Sequence, residues 1–198
     1  MATTAAAPRT PQTGERDPRV EEAKKAVENE IIKVETYMDS IGRPTPISPF
    51  IVKWKKVWSL LEALWHSPVK ADPRAGKIIS FTNRCISDMH GTTPNMIAGF
   101  QIIPPGEHGM AHKHTMAAIQ YVVQGRGYSI INGTRFDWEQ GDMVVFPAGA
   151  MHEHANLDPE KPAIFFHVLD VPAVAWTRNL KVEELPEGHQ TVTGTAAT

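Results

Sequence analysis

Three histidines, His112, His114 and His152, are the residues of this chain whose spacing could do chemistry. His112 and His114 form a His-x-His pair. On a strand, side chains alternate faces with period two, so both imidazoles would point the same way. His152, arriving on a different strand, would complete one face of a coordination sphere. The first block runs Gly106-Glu-His-Gly-Met-Ala-His112-Lys-His114 and continues to Ala118 and Gly125. The second holds Gly141, Pro147, Gly149, His152, His154 and Asn156. Their Gly and Pro residues read as turns that fix the strands carrying the ligands. Imidazole suits iron, zinc, copper and nickel, so the ligand type leaves the metal open. Three neutral ligands leave a divalent ion its full charge in a low-dielectric pocket. Such an ion favours a substrate that chelates as an anion, and it lowers the pKa of a bound phenol or enol hydroxyl. About three positions stay free on a six-coordinate ion, enough for a bidentate substrate and dioxygen.

Other side chains are candidates around that centre. Gln120 lies at even spacing from His114 and, on one continuous strand, would face the same cavity. It could hydrogen-bond substrate or oxygen, or simply satisfy a neighbouring polar group. His154 follows His152 by two and would share its face, as a proton shuttle, a partner orienting a ligand, a replacement ligand or a plain rim histidine. Ala118 ligates nothing and leaves space. His108 precedes the pair in a loop and reads as solvent-facing, whereas His167 sits on a strand apolar on both faces, which hides its direction. Arg84, read on a strand ahead of the blocks, is the local cation for a substrate carboxylate. His66, His90 and His189 have no supporting context.

The pattern Gly-x5-His-x-His-x3-Ala-x6-Gly resembles the first motif of the cupin superfamily, except that Ala118 stands where a metal-binding Glu is usual. Gly141-x5-Pro147-x-Gly149-x2-His152-x3-Asn156 follows the second motif without departure, with fifteen residues between Gly125 and Gly141. The resemblance covers residues 95–172. Within the superfamily, His-Lys-His-Thr-Met-Ala-Ala-Ile-Gln-Tyr-Val-Val-Gln-Gly and the later Met-His-Glu-His-Ala-Asn resemble gentisate 1,2-dioxygenases. Those are iron-dependent ring-cleaving enzymes with three His ligands and no carboxylate, in longer two-cupin chains. The resemblance implies Fe(II), with other divalent ions still open, at His112, His114 and His152. It implies O2 and a chelating dihydroxy- or aminohydroxy-aromatic, or a diketone, as substrates, with Gln120 and His154 as catalytic side chains. The gentisate enzymes carry a basic residue at about the place of Gln120, so the amide weighs against gentisate itself. A redox-neutral metal-dependent lyase or isomerase, and a non-catalytic metal- or ligand-binding cupin, are the alternatives.

The elements that must position these residues are legible. The 198 residues suffice for one domain with an extension. A formal net charge of −2 without a dense basic run argues against nucleic acid and anionic membrane as partners. No apolar stretch approaches the ~20 residues needed to cross a bilayer. Residues 1–16 lack the apolar segment of a signal peptide, and Cys85 is alone, so a cytoplasmic setting is expected. Residues 1–16 and 187–198 read as flexible tails, 17–70 as a helical extension and 71–186 as the barrel. Asp17-Pro18 starts one expected helix, with Val20, Ala23, Val27, Ile31, Val34 and Met38 as its apolar stripe. Ser48-Pro49 starts a second, whose Phe50, Ile51, Trp54, Val57, Trp58, Leu61, Leu64 and Trp65 form a broad apolar face that reads as packing rather than a ligand platform. Strands are expected over 78–81, 96–103, 117–123, 128–131, 134–138, 143–146 and 163–169, with a type I′ hairpin at Asn132-Gly133. The fold class is therefore all-β: a single-cupin double-stranded β-helix, or jelly-roll barrel, with an N-terminal helical extension. Apolar helices beside a short barrel suggest a homo-oligomer.

Overall fold

Short runs of alternating residues become two facing sheets. The computed structural model describes residues 47–86 and 90–196, together with Pro18, Glu22 and Lys25. Those three isolated positions are helical. The whole apolar stripe expected from Val20 to Met38, and the tail 1–16, lie outside the described residues. One sheet holds β1 (Lys77–Phe81), β2 (Ile97–Ile103), β4 (Ala118–Gln124), β7 (Met143–Phe146) and β9 (Ala163–Leu169), in the order β1-β2-β9-β4-β7. The other holds β3 (His112–His114), β5 (Arg126–Ile131), β6 (Thr134–Glu139), β8 (His152–Asn156), β10 (Val182–Glu184) and β11 (Gly194–Thr195), in the order β10-β3-β8-β5-β6-β11. Every pairing is antiparallel except β11 on β6. No described helix is long and apolar enough to cross a membrane.

Period-two alternation divides each strand between interior and exterior. Ile103, Ala118, Val122, Trp138, Val144, Phe146, Ala163 and Phe165 fill the space between the sheets. The other face of β2 and β9 is not open to water. Phe100, Ile102 and Ile164 pack there against Val57 and Leu61 of helix α1 (Trp54–His66). This double cover explains why β9 is apolar on both faces. Lys77 closes α1, its ammonium donating to the carbonyls of Leu64, Trp65 and Ser67 at 3.1, 3.0 and 2.9 Å. A cation there satisfies orphan carbonyls and complements the negative end of the helix dipole.

The hairpin forms as expected, with Asn132 and Gly133 both at positive φ (48° and 80°) between β5 and β6. The second helix starts later than its Ser-Pro signal. Residues 47–53 are non-helical, and the Ser48 carbonyl accepts from Asn83 Nδ2 at 3.0 Å, tying this segment to the loop after β1. A short helix α2 (Val171–Trp176), not anticipated, follows β9 with Pro172 in its first turn. The segment from 187 on, which composition reads as a tail, lies along the second sheet. Ala111 N–H donates to Gly188 O at 2.7 Å, Gln190 Nε2 to Ile130 O at 2.9 Å, and β11 pairs with β6. Small polar residues suffice there because backbone pairing, not apolar burial, holds them.

The β5–β8 contact allows no side chain at Gly127. A Cβ there would meet the Ala155 carbonyl of β8 and lie 2.6–2.7 Å from the Trp138 ring. Gly127→Ala is therefore expected to lower the free energy of unfolding by about 1–3 kcal/mol, read by urea denaturation. An unchanged midpoint would contradict this packing.

Candidate metal centre and substrate cavity

The apolar filling occupies only part of the barrel. The remaining space is a cavity of about 360 Å³ whose lining includes His112, His114, His152, His154, Gln101, Gln120 and His167. β3 supplies His112 and His114, and β8 supplies His152, whose Cα pairs directly with that of His112. Ring centroids lie 4.4 Å (His112–His152), 4.7 Å (His114–His152) and 5.7 Å (His112–His114) apart. One nitrogen from each ring falls within 4.8 Å of the other two, and all three residues are buried.

Each imidazole is held the same way. His112 Nδ1 faces Met110 O at 3.1 Å, His114 Nδ1 faces Met116 O at 2.7 Å, and His152 Nδ1 faces Ala150 O at 2.9 Å. A carbonyl only accepts, so each Nδ1 carries the proton and each Nε2 keeps a free lone pair. This is the tautomer a metal needs, imposed by backbone before any ion arrives. Burial is the largest cause depressing all three pKa values, with His152 pushed down to about 3. The rings are thus neutral ligands near pH 7. Their donor set, buried and without a carboxylate, is compatible with a divalent metal ion.

His154 is held in the opposite sense. Its Nδ1 lies 3.0 Å from Ser129 Oγ, which also accepts from Trp138 Nε1 at 3.0 Å. With the indole as donor, the fully buried Ser129 hydroxyl donates its own hydrogen bond to His154 Nδ1. His154 therefore carries its proton on Nε2 and serves the cavity as a neutral donor. Burial keeps its pKa well below the usual histidine value, so it does not act there as a cation.

The sequence expectation placed Gln120 on the same strand as His114. The structure separates them: Thr115, Met116 and Ala117 turn the chain, and β3 and β4 lie in different sheets. Gln120 still reaches the cavity, because the inward face of β4 opposes that of β3. Its Nε2 donates to Gln101 Oε1 at 3.0 Å, and its Oε1 is buried without a partner. His167, opposite Gln120 in the β4–β9 register, also lines the cavity, with burial lowering its pKa to about 4.

Arg84 is not a site residue. It lies exposed in a turn after β1. The arginine at the cavity is Arg74, which sequence reasoning passed over because it sits in a turn outside the motifs. Its guanidinium is already paired, bidentate with Asp72 at 2.9 and 2.7 Å and near Glu184 at 3.3 Å. The Arg74 hydrogen bond holds the Asp72 carboxyl down to about 2. Among the described residues, no uncompensated cation lines this cavity.

Three comparisons place this geometry among known proteins. Residues 99–171 match the cupin domain family. A 5-aminosalicylate 1,2-dioxygenase of a Comamonas species is 30% identical over 154 residues, which is 76% of this chain and 40% of that enzyme. Gentisate 1,2 dioxygenase 1 of Aquipseudomonas alcaligenes is 34% identical over 99 residues, 50% of this chain and 28% of that enzyme. The matched stretches thus amount to less than half the length of these curated relatives. Among solved structures, a salicylate 1,2-dioxygenase from Pseudaminobacter salicylatoxidans superposes with a TM-score of 0.71 at 20% identity, over 91% of this chain and 53% of that one. That likeness is one of fold.

A buried neutral histidine makes stability depend on pH. Between its ordinary value of 6.5 and its folded value of about 4, the unfolded chain takes up a proton that folded His167 refuses. Stability present above the upper value is therefore lost as pH falls toward the lower one, with His167 accounting for about 3 kcal/mol. Urea unfolding of metal-free protein across that window should show a slope that His167→Gln flattens by about this amount. An equal slope in parent and variant would contradict the assignment.

Proposed function

From a cupin domain over residues 99–171 and distant homologues that are gentisate- and salicylate-type 1,2-dioxygenases, we propose that the chain is a mononuclear non-haem Fe(II) dioxygenase. Its substrate is a chelating dihydroxy- or aminohydroxy-aromatic, or a diketone, cleaved with O2. The observation that carries this reading is the trio of buried imidazoles locked by backbone carbonyls with Nε2 free, in a set without a carboxylate. Iron(II) held by His112, His114 and His152 would supply chelation of two adjacent substrate donors and activation of O2 beside them.

The chain's own residues do the rest. Met116, Ile97 and Leu169 give the cavity apolar wall for a ring, and 360 Å³ suits a small aromatic. Gln101 fixes the Gln120 amide, so the orphaned Oε1 stands ready to accept a hydrogen bond from a substrate hydroxyl or amino group. A buried acceptor without a partner costs about 1–3 kcal/mol, which a donating substrate recovers. His154 offers Nε2–H as a neutral donor, orienting substrate or oxygen through the Ser129–Trp138 relay that sets its tautomer. With Arg74 already neutralised by Asp72 and Glu184, no described residue lining the cavity supplies a free cation for a carboxylate. This favours substrates recognised by chelation and by the amide over gentisate itself.

Anaerobically purified protein with Fe(II) restored should consume O2 stoichiometrically with at least one member of a panel of dihydroxy-aromatics, aminohydroxy-aromatics and diketones, and His112→Ala should abolish uptake. Absence of uptake across the panel in metal-loaded protein would contradict the dioxygenase and favour a redox-neutral lyase or isomerase. With the active substrate, Gln120→Leu should lower kcat/KM roughly 10- to 100-fold, the loss expected for one substrate hydrogen bond. Unchanged kcat/KM would remove Gln120 from substrate recognition.

A further inference from the structure

Alternation along β8 puts one side chain where the mechanism has no use for it. His152 and His154 face the cavity, so Glu153 between them faces the outside of the barrel. It is nevertheless 0% exposed, covered by the loop carrying His108 and by the C-terminal segment carrying His189. Its Oε1 accepts from Gln190 N–H at 2.8 Å, while Oε2 lies 2.8 Å from His189 Nδ1 and 3.2 Å from His108 Nε2. The two imidazoles stack at a 4.2 Å centroid separation. One donor atom from each of the three residues falls within 4.8 Å of the others.

We propose that His108, Glu153 and His189 form a second divalent-metal site, filled by zinc or a similar borderline late transition ion, that fastens the C-terminal segment to the back of β8. A carboxylate this buried is costly unless opposing charge lies beside it. Among the described residues no Lys or Arg pairs with Glu153; two imidazoles and one amide N–H are its partners. A divalent ion supplies the missing charge. The donor set suits zinc, which takes His nitrogen and carboxylate oxygen at about 2.0–2.2 Å. Two such bonds at a tetrahedral angle set their donors about 3.3 Å apart; His108 Nε2 lies 3.2 Å from Glu153 Oε2, and His189 Nδ1, at 2.8 Å, would move outward slightly to admit the ion.

The backbones are fixed in advance. His108 bridges to Ala155, and Gly109 N–H donates to His154 O at 2.9 Å. Gln190 Oε1 accepts from Gly133 N–H at 3.0 Å, holding the residue next to His189. With side-chain exposures of 31% and 48%, His108 and His189 leave room for water as a fourth ligand.

The test is zinc stoichiometry by calorimetry on the full, metal-stripped chain, with thermal unfolding in parallel. Parent protein should bind two equivalents and His189→Ala or His108→Ala one. In a His112→Ala/His114→Ala background, zinc should still bind at one equivalent and raise Tm, and adding His189→Ala should weaken that binding at least ten-fold. If this background does not fold, the comparison of parent with the two surface variants decides alone. Zinc stoichiometry and affinity that are the same in parent, His108→Ala and His189→Ala would overturn the proposal and leave a hydrogen-bonded clasp. The total count also depends on the three-histidine cluster, so the loss of one equivalent on His108→Ala or His189→Ala is the readout that decides, and it involves neither O2 nor an aromatic substrate.

Discussion

Three hydrogen bonds from imidazole Nδ1 to backbone carbonyl are the constraint on which the centre depends. Met110 O, Met116 O and Ala150 O each lie two residues from the histidine they hold, so ring orientation follows backbone path. That path is itself tied down. Gly149 N–H donates to His114 O at 2.7 Å, and Ala117 N–H donates to Asp170 Oδ1 at 2.8 Å. Asn156 Nδ2 reaches the carbonyls of Ile103, Pro104 and Lys161, which anchors the far end of β8. Freed of these ties, the rings could turn, and the Nε2 lone pairs would no longer converge.

The barrel interior is divided by polarity. Trp138, Phe146 and Phe165 fill one part, and Phe146 also packs against His152 and His154 at 5.0 Å centroid distances. The other part sets Gln101, Gln120 and neutral histidines against an apolar wall, with the Arg74–Asp72 ion pair among its lining residues. Burial that depresses the histidine pKa values and the pairing of Arg74 with two acids act in the same direction. In the proposed enzyme, the charge that binds and activates substrate is concentrated on the ion.

The three-histidine cluster was legible in the sequence because motif residues and strand alternation are local properties. His112, His114, His152, Gln120 and His154 all line one cavity, as their spacing suggested. Gln120 reaches the cavity from a different strand than expected, because Thr115-Met116-Ala117 holds no Gly or Pro to mark the break between β3 and β4. Arg74 drew no notice in the sequence because it lies outside the motifs, yet the turn closed by Asp72 and Gly76 is what brings it to the cavity. His108 and His189 carried no local signal. Their meeting at Glu153 needs residues separated by 36 positions in the chain, together with the docking of a segment whose composition reads as a tail. Long-range contacts of that kind leave no period to read.

The central claim is that His112, His114 and His152 jointly bind one ion through Nε2. X-ray absorption at the iron K edge tests it most directly, on Fe(II)-loaded His189→Ala protein so that one cluster reports alone. The account predicts multiple scattering from three imidazoles with the remaining donors oxygen, and one imidazole fewer in His152→Ala. A spectrum that fits fewer than three imidazoles, or one unaltered by His152→Ala, would contradict it.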